Sequence, residues 1–189
     1  MASPMDRRNF SSARRTLCFA AVCLAACSPT FNWRDVPLAP AELTALLPCK
    51  PDRASRSVPL GGETLQIEMA GCEAGNATFA VAHARAASPA QAEAWLAAWR
   101  ASTRAQWQAA TGGQITEAPV AVPRAAAAPT PWQIEMRGAG PDGKPTEARV
   151  RWFAHAQRDG SVAIYQATVL GKPSADDAAG TFFDGLRLP

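Results

Sequence analysis

The run Ser88-Pro89-Ala90-Gln91 opens the one stretch of this chain whose pattern admits a single local structure. Ser88 with Gln91 three residues on is a capping box, and Pro89 takes the first helical position, where its missing N–H leaves nothing unbonded. Ala92, Trp95, Leu96, Trp99, Thr103 and Trp107 then recur at helical spacing, which puts the tryptophans near one face, and Gly112-Gly113 ends the run. A stripe of that kind is a core face, and it needs a broad apolar surface to lie on. The flanking sequence supplies one as strands.

Ahead of the helix, residues 31 to 38 read as an extended segment with Trp33 as its anchor. Leu43 to Leu47 is a short apolar piece stopped by Pro48-Cys49-Lys50-Pro51. Residues 57 to 60 and 63 to 69 flank Gly61-Gly62, a two-residue hairpin signal, and in the second of these Leu65, Ile67 and Met69 alternate with Gln66 and Glu68. Gly71, Gly75 and Asn76 turn the chain, with Cys72 in the turn, and residues 78 to 84 return as a strand. After the helix, residues 118 to 131 are rich in Ala and Pro and read as a surface connection between two halves. Strands are expected at 132 to 136, 148 to 156 and 161 to 170. The last of these is apolar on both faces at its middle and therefore central. A short helix capped by Ser174 runs through Leu186 and docks Phe182, Phe183 and Leu186 on the sheet. The expected fold class is α+β: one domain over residues 31–189, an antiparallel sheet with the long helix and the C-terminal helix packed on it.

The segment before residue 31 fixes an address. Residues 1 to 26 carry Arg7, Arg8, Arg14 and Arg15, then an apolar run from Leu17 to Ala26. A membrane-spanning helix needs about twenty apolar residues, so this shorter run reads as a cleaved signal peptide. Arg7-Arg8-Asn9-Phe10 is also a partial twin-arginine match, and Met5 is an alternative start. Leu24-Ala25-Ala26-Cys27 resembles a bacterial lipobox, in which the cysteine sulfur receives diacylglycerol, the peptide is cut before it and the new amino terminus is acylated. The competing reading is an ordinary Ala-x-Ala-like cleavage site that happens to precede a cysteine. Residues 27 to 30 would form a lipidated tether, and Ser28, in place of an aspartate, favours the outer membrane over retention at the inner one.

This reading resolves the odd count of five cysteines. Cys18 and Cys23 leave with the signal peptide and Cys27 takes the lipid, so Cys49 and Cys72 remain to pair in an oxidising periplasm. A metal or redox pair is the alternative, but it lacks Cys-x-x-Cys spacing and nearby histidines. Of 19 basic and 16 acidic side chains, four arginines and Asp6 lie in the leader, so the rest of the chain is balanced. A balanced charge gives no reason to expect nucleic acid binding.

Gln66-Ile67-Glu68-Met69 recurs as Gln133-Ile134-Glu135-Met136, and the only two histidines, His83 and His155, follow the two copies in matching Ala-His-Ala contexts. The match is either a duplicated strand-strand-helix unit or coincidence in an Ala-rich chain. Were the two strands neighbours, the imidazoles would form a weak metal or acid/base candidate. Two histidines without a third ligand make an incomplete zinc site, and strand-end surface residues are the simpler reading. There is no Gly-x-Ser-x-Gly elbow, no phosphate-binding glycine loop and no His-Glu-x-x-His, and Asp176-Asp177 at a helix start suits the helix dipole. No catalytic residues, no resident metal and no cofactor beyond the lipid on Cys27 are expected.

With Phe31-Asn32-Trp33-Arg34-Asp35, Leu47-Pro48-Cys49-Lys50-Pro51 and the Gly-Gly hairpin in view, residues 24 to 84 resemble a group of small uncharacterised lipoproteins of proteobacteria. In that group the lipidated cysteine is followed by a similar Trp-Arg-acidic segment and then Leu-Pro-x-Lys-Pro. The resemblance implies an address and no activity. More loosely, the order of strands, long helix, strands and terminal helix resembles the α/β/α sandwich of PsbP-like proteins, which is an analogy of fold alone. The expected function is that of a non-enzymatic envelope lipoprotein, an accessory or assembly factor acting on an unidentified envelope protein. The alternative is a periplasmic carrier of a small ligand or metal.

Overall fold

A computed structural model describes residues 29–140 and 142–189. Cys27, the rest of the lipobox and the leader lie outside the described residues. Within them the chain is α+β, with two helices and ten strands in two antiparallel sheets. The small sheet contains β1 (Arg34–Leu38), β2 (Leu43–Leu47) and the two-residue β10 (Leu186–Arg187), in the order β1-β2-β10. The large one contains β3 (Asp52–Leu60), β4 (Glu63–Ala74), β5 (Ala77–Ala86), β6 (Gln114–Pro119), β7 (Trp132–Ala139), β8 (Pro145–Ala156) and β9 (Val162–Leu170). Its order is β3-β4-β5-β9-β8-β7-β6. The strand that is apolar on both faces, β9, is the middle of the seven and is covered on both sides.

The long helix α1 (Pro89–Thr111) begins and ends as its sequence requires. The Ser88 hydroxyl accepts from the Gln91 N–H, while the Gln91 side-chain oxygen accepts from the N–H of Ala87. Gly112 closes the helix in the left-handed conformation, φ 60°, donating to the Gln108 carbonyl. α1 lies on one face of the large sheet, where Ala92, Leu96, Trp99 and Trp107 join Leu65, Ile67, Ile134, Val150, Trp152 and Ile164 in one core. The small sheet and α2 (Ala178–Asp184) cover the opposite face. There Phe79, Val81, Phe153, Tyr165 and Val169 meet Leu38, Leu43, Leu47, Phe182 and Phe183. Two apolar faces need two covers, and that is why the chain builds three layers.

Three local expectations are corrected. Cys72 sits within β4 and not in a turn, because β4 extends to Ala74 and pairs with β5 as far as Ala77. It is bonded to Cys49, with Cα atoms 6.0 Å apart, so the bridge fastens the turn leaving the small sheet to the large one. Part of the 118–131 connection is strand: Ala118 and Pro119 close β6, an edge strand whose residues are all exposed except the half-buried Ile115. A strand with one inward side chain carries no alternation to read. Ser174 does not cap the last helix; its N–H donates to the Gly75 carbonyl, and Asp177 occupies the cap position of α2 without a side-chain bond.

The recurrence of Gln-Ile-Glu-Met is not a duplicated unit. β4 and β7 run in the same direction, and both turn their Ile and Met side chains toward α1. Their following strands, β5 and β8, lie inward on opposite sides of them, flanking β9. Two strand pairs with the same direction, the same inner face and opposite order are of opposite hand, so no rotation superposes them.

Candidate functional site

The seven strands of the large sheet span about 29 Å at ordinary strand spacing. One helix with its side chains covers only about 10–12 Å. α1 crosses this width obliquely and leaves uncovered sheet on either side. On the side toward the ends of β7 and β8 the Ala/Pro-rich connection fills the gap. The Ala126 N–H donates to the Ala154 carbonyl at 2.8 Å, and Pro129 and Thr130 close over Leu96, Trp132 and Trp152 around a residual space of about 200 Å³. On the other side no segment of the described chain returns. The result is an open cleft of about 510 Å³ between α1 and the floor formed by β3, β4, β5, β9 and β8.

Its walls are mainly apolar: Trp99 and Trp107 on the helix, Val58, Ile67 and Met69 on one flank, and Met136 and Val150 on the other. Leu170 at its end is 45% exposed, the one large apolar side chain so exposed among the described residues. Polar groups sit along the middle, where the Gln166 side-chain amide donates to the Thr103 hydroxyl at 3.2 Å. The Trp107 indole is 9% exposed, and its Nε1–H has no acceptor among the described residues. A buried donor left without a partner is costly, on the order of 1–3 kcal/mol. Arg56, on the same face of β3 as Val58 and Leu60, is the only charged side chain lining the cleft among the described residues. Such a site offers contact area, neutral hydrogen-bonding groups and one cation, which is the chemistry of binding.

His83 and His155 are not brought together. They lie on β5 and β8 with β9 between them, opposite Tyr165 and Ala163 respectively, so two strand spacings and a two-residue shift along β9, about 12 Å in all, separate them. Both face the small-sheet side, away from the cleft. The His155 ring nitrogen Nδ1 meets the Arg124 carbonyl at 3.1 Å. No group of three potential metal-ligating His, Cys, Asp or Glu side chains occurs among the described residues.

His83 is buried, its Nε2 3.7 Å from a carboxylate oxygen of Glu68 on the neighbouring strand and its ring against Tyr165. Burial lowers its pKa from the ordinary 6.5, against the raising pull of Glu68 and with a further lowering by Arg53. The unfolded chain therefore holds the proton more tightly than the folded one. The contribution of His83 to stability is full above 6.5 and is lost as pH falls below that value toward the folded pKa. Stability followed by chemical denaturation from about pH 8 to about pH 5 should fall on the acid side, and His83→Gln should flatten that part of the slope. An unchanged slope in the variant would remove His83 as its source.

The buried tyrosine next to it is a structural fastener. Its hydroxyl donates to the Ala41 carbonyl in the β1–β2 turn, and burial raises its pKa beyond the ordinary range.

The cleft residues had little signature in the sequence. The Trp99-Thr103-Trp107 stripe marks an apolar helix face, but whether that face is sealed or half open depends on sheet width and on where the connection runs. No family model matches the chain, and no curated protein matches it significantly.

Proposed function

We propose that this protein is a lipid-anchored lipoprotein of the bacterial envelope, on the periplasmic face of the outer membrane. In this reading it works without catalysis, as an accessory or assembly factor through contacts with another envelope protein. The observation that carries the proposal is the distance between the lipobox cysteine and the start of the fold. Phe31 stacks on Trp33 at 6.0 Å between ring centroids and meets Phe79 edge-on at 6.4 Å, so the chain is tied into the core four residues after Cys27. Four extended residues reach about 14 Å. A lipid on Cys27 would hold the folded part against the membrane surface, where more than one acyl chain gives stable attachment.

Replacing Cys27 by serine should shift the protein from the membrane fraction to the soluble periplasmic fraction, as read by fractionation. Continued retention of the variant in the membrane would sink the lipid anchor. Capture of the tagged protein from crosslinked envelopes should recover a defined partner. Recovery of lipid and general chaperones alone would sink the contact role.

A second reading, carriage of a small ligand, is favoured by the open cleft beside α1. It rests on that cleft and no longer on His83 and His155, whose side chains do not converge.

A further inference from the structure

We infer that the cleft between α1 and the large sheet binds a single-chain anionic amphiphile, one acyl tail on an acidic head group. The inference deepens the ligand-carrier reading and rests on it.

The floor and walls supply a tail site. Val58, Met69, Trp99, Val150 and Leu170 supply apolar surface on either side of Thr103 and Gln166, and about 510 Å³ falls within the roughly 300–1,000 Å³ typical of small-molecule sites. The cleft is open along its length, which suits a flexible chain entering from the side. The head group is indicated by charge. Among the described residues Arg56 is the one charged group of the lining and no carboxylate joins it there, so an anion finds a cation without a competing acid. A cationic or plain hydrocarbon ligand would gain nothing from that arginine.

The experiment uses the chain from Ser28 onward, which holds every described strand and helix and both cores. The probe is cis-parinaric acid, a fluorescent fatty acid, titrated with excitation of tryptophan so that energy transfer from Trp99 and Trp107 reports proximity. Saturable one-to-one binding is expected, displaced by oleate. Thr168→Phe, at the centre of the floor, and Ala110→Phe, on the exposed last turns of α1, should each fill the cleft and abolish binding, and either one that keeps the unfolding temperature suffices for the test. Arg56→Glu should weaken oleate by at least about ten-fold, the loss of one charge-assisted hydrogen bond, and leave the uncharged monoolein within about two-fold.

The inference is overturned by an absence of saturable binding, or by binding that survives both filling variants. Equal weakening of oleate and monoolein by Arg56→Glu would overturn the anionic head group. Concentration-dependent dimerisation lost in Thr168→Phe, without probe binding, would assign the cleft to a second copy of the chain instead. All these readouts are made on the soluble domain, so they succeed or fail independently of the membrane retention of Cys27.

Discussion

Phe79→Ala should lower the stability of the fold by about 4 kcal/mol, the ordinary cost of emptying a fully buried phenylalanine site. Phe79 has no exposed surface and stands where three separate pieces of chain meet. Phe31 and Trp33 approach its ring edge-on at 6.4 and 6.1 Å, and Phe182 does so at 5.6 Å. Each such pair adds about 0.5–1.5 kcal/mol beyond the area it buries. The segment Phe31–Trp33 stands at the start of the described residues, and Phe182 lies in α2 near their end. Removing the ring they share therefore loosens both ends of the described chain from the large sheet at once. For a fold of this size the expected fall in unfolding temperature is roughly 10 °C, measured by calorimetry. Proteolysis should in addition become faster at the two termini before the body of the sheet is cut. A loss below about 1 kcal/mol would mean that the aromatic cluster repacks and does not act as the joint described.

The double variant Cys49→Ala/Cys72→Ala should cost about 3 kcal/mol. The bridge spans a sequence separation of 23 residues, and the unfolded chain regains the freedom of that loop when it is removed. The loop contains β3 and most of β4, so the bridge also closes one end of the hairpin whose other end is the Gly61-Gly62 turn. Urea denaturation should show the variant's midpoint displaced downward, and reductant added under unfolding conditions should bring the unmodified protein to the same midpoint. If both cysteines of the unreduced, denatured protein reacted freely with an alkylating agent, the bridge would be absent in solution and the expected difference would vanish.

Much of this fold was legible residue by residue. The capping box at Ser88, the αL glycine at 112 and the hairpin glycines at 61 and 62 are local devices, and local devices are set by the few residues that form them. The alternation of Leu65, Ile67 and Met69 named the inner face of β4 correctly, and the doubly apolar β9 named its own central place. The misreadings share one cause. β6 at the sheet edge, the true cap of α2 and the β4 position of Cys72 depend on what lies alongside in space, and a neighbour far along the chain leaves no periodic mark. The matched Gln-Ile-Glu-Met segments show the same limit, since two similar strings of side chains occupy places of opposite hand.

By itself the sequence determined most of the elements and their inner faces, and it named Cys49 and Cys72 as a pair, because propensity and period are properties of neighbouring residues. Only the tertiary structure decided that the helix lies on a sheet wider than itself, that the Ala/Pro connection seals one flank and that the other stays open beside Trp107 and Arg56. The same registers hold His83 and His155 apart across β9. The physical reason is that a cleft is a mismatch between the widths of two layers, and width accumulates from strand order, which pairs β5 with β9 and β9 with β8 across long stretches of chain.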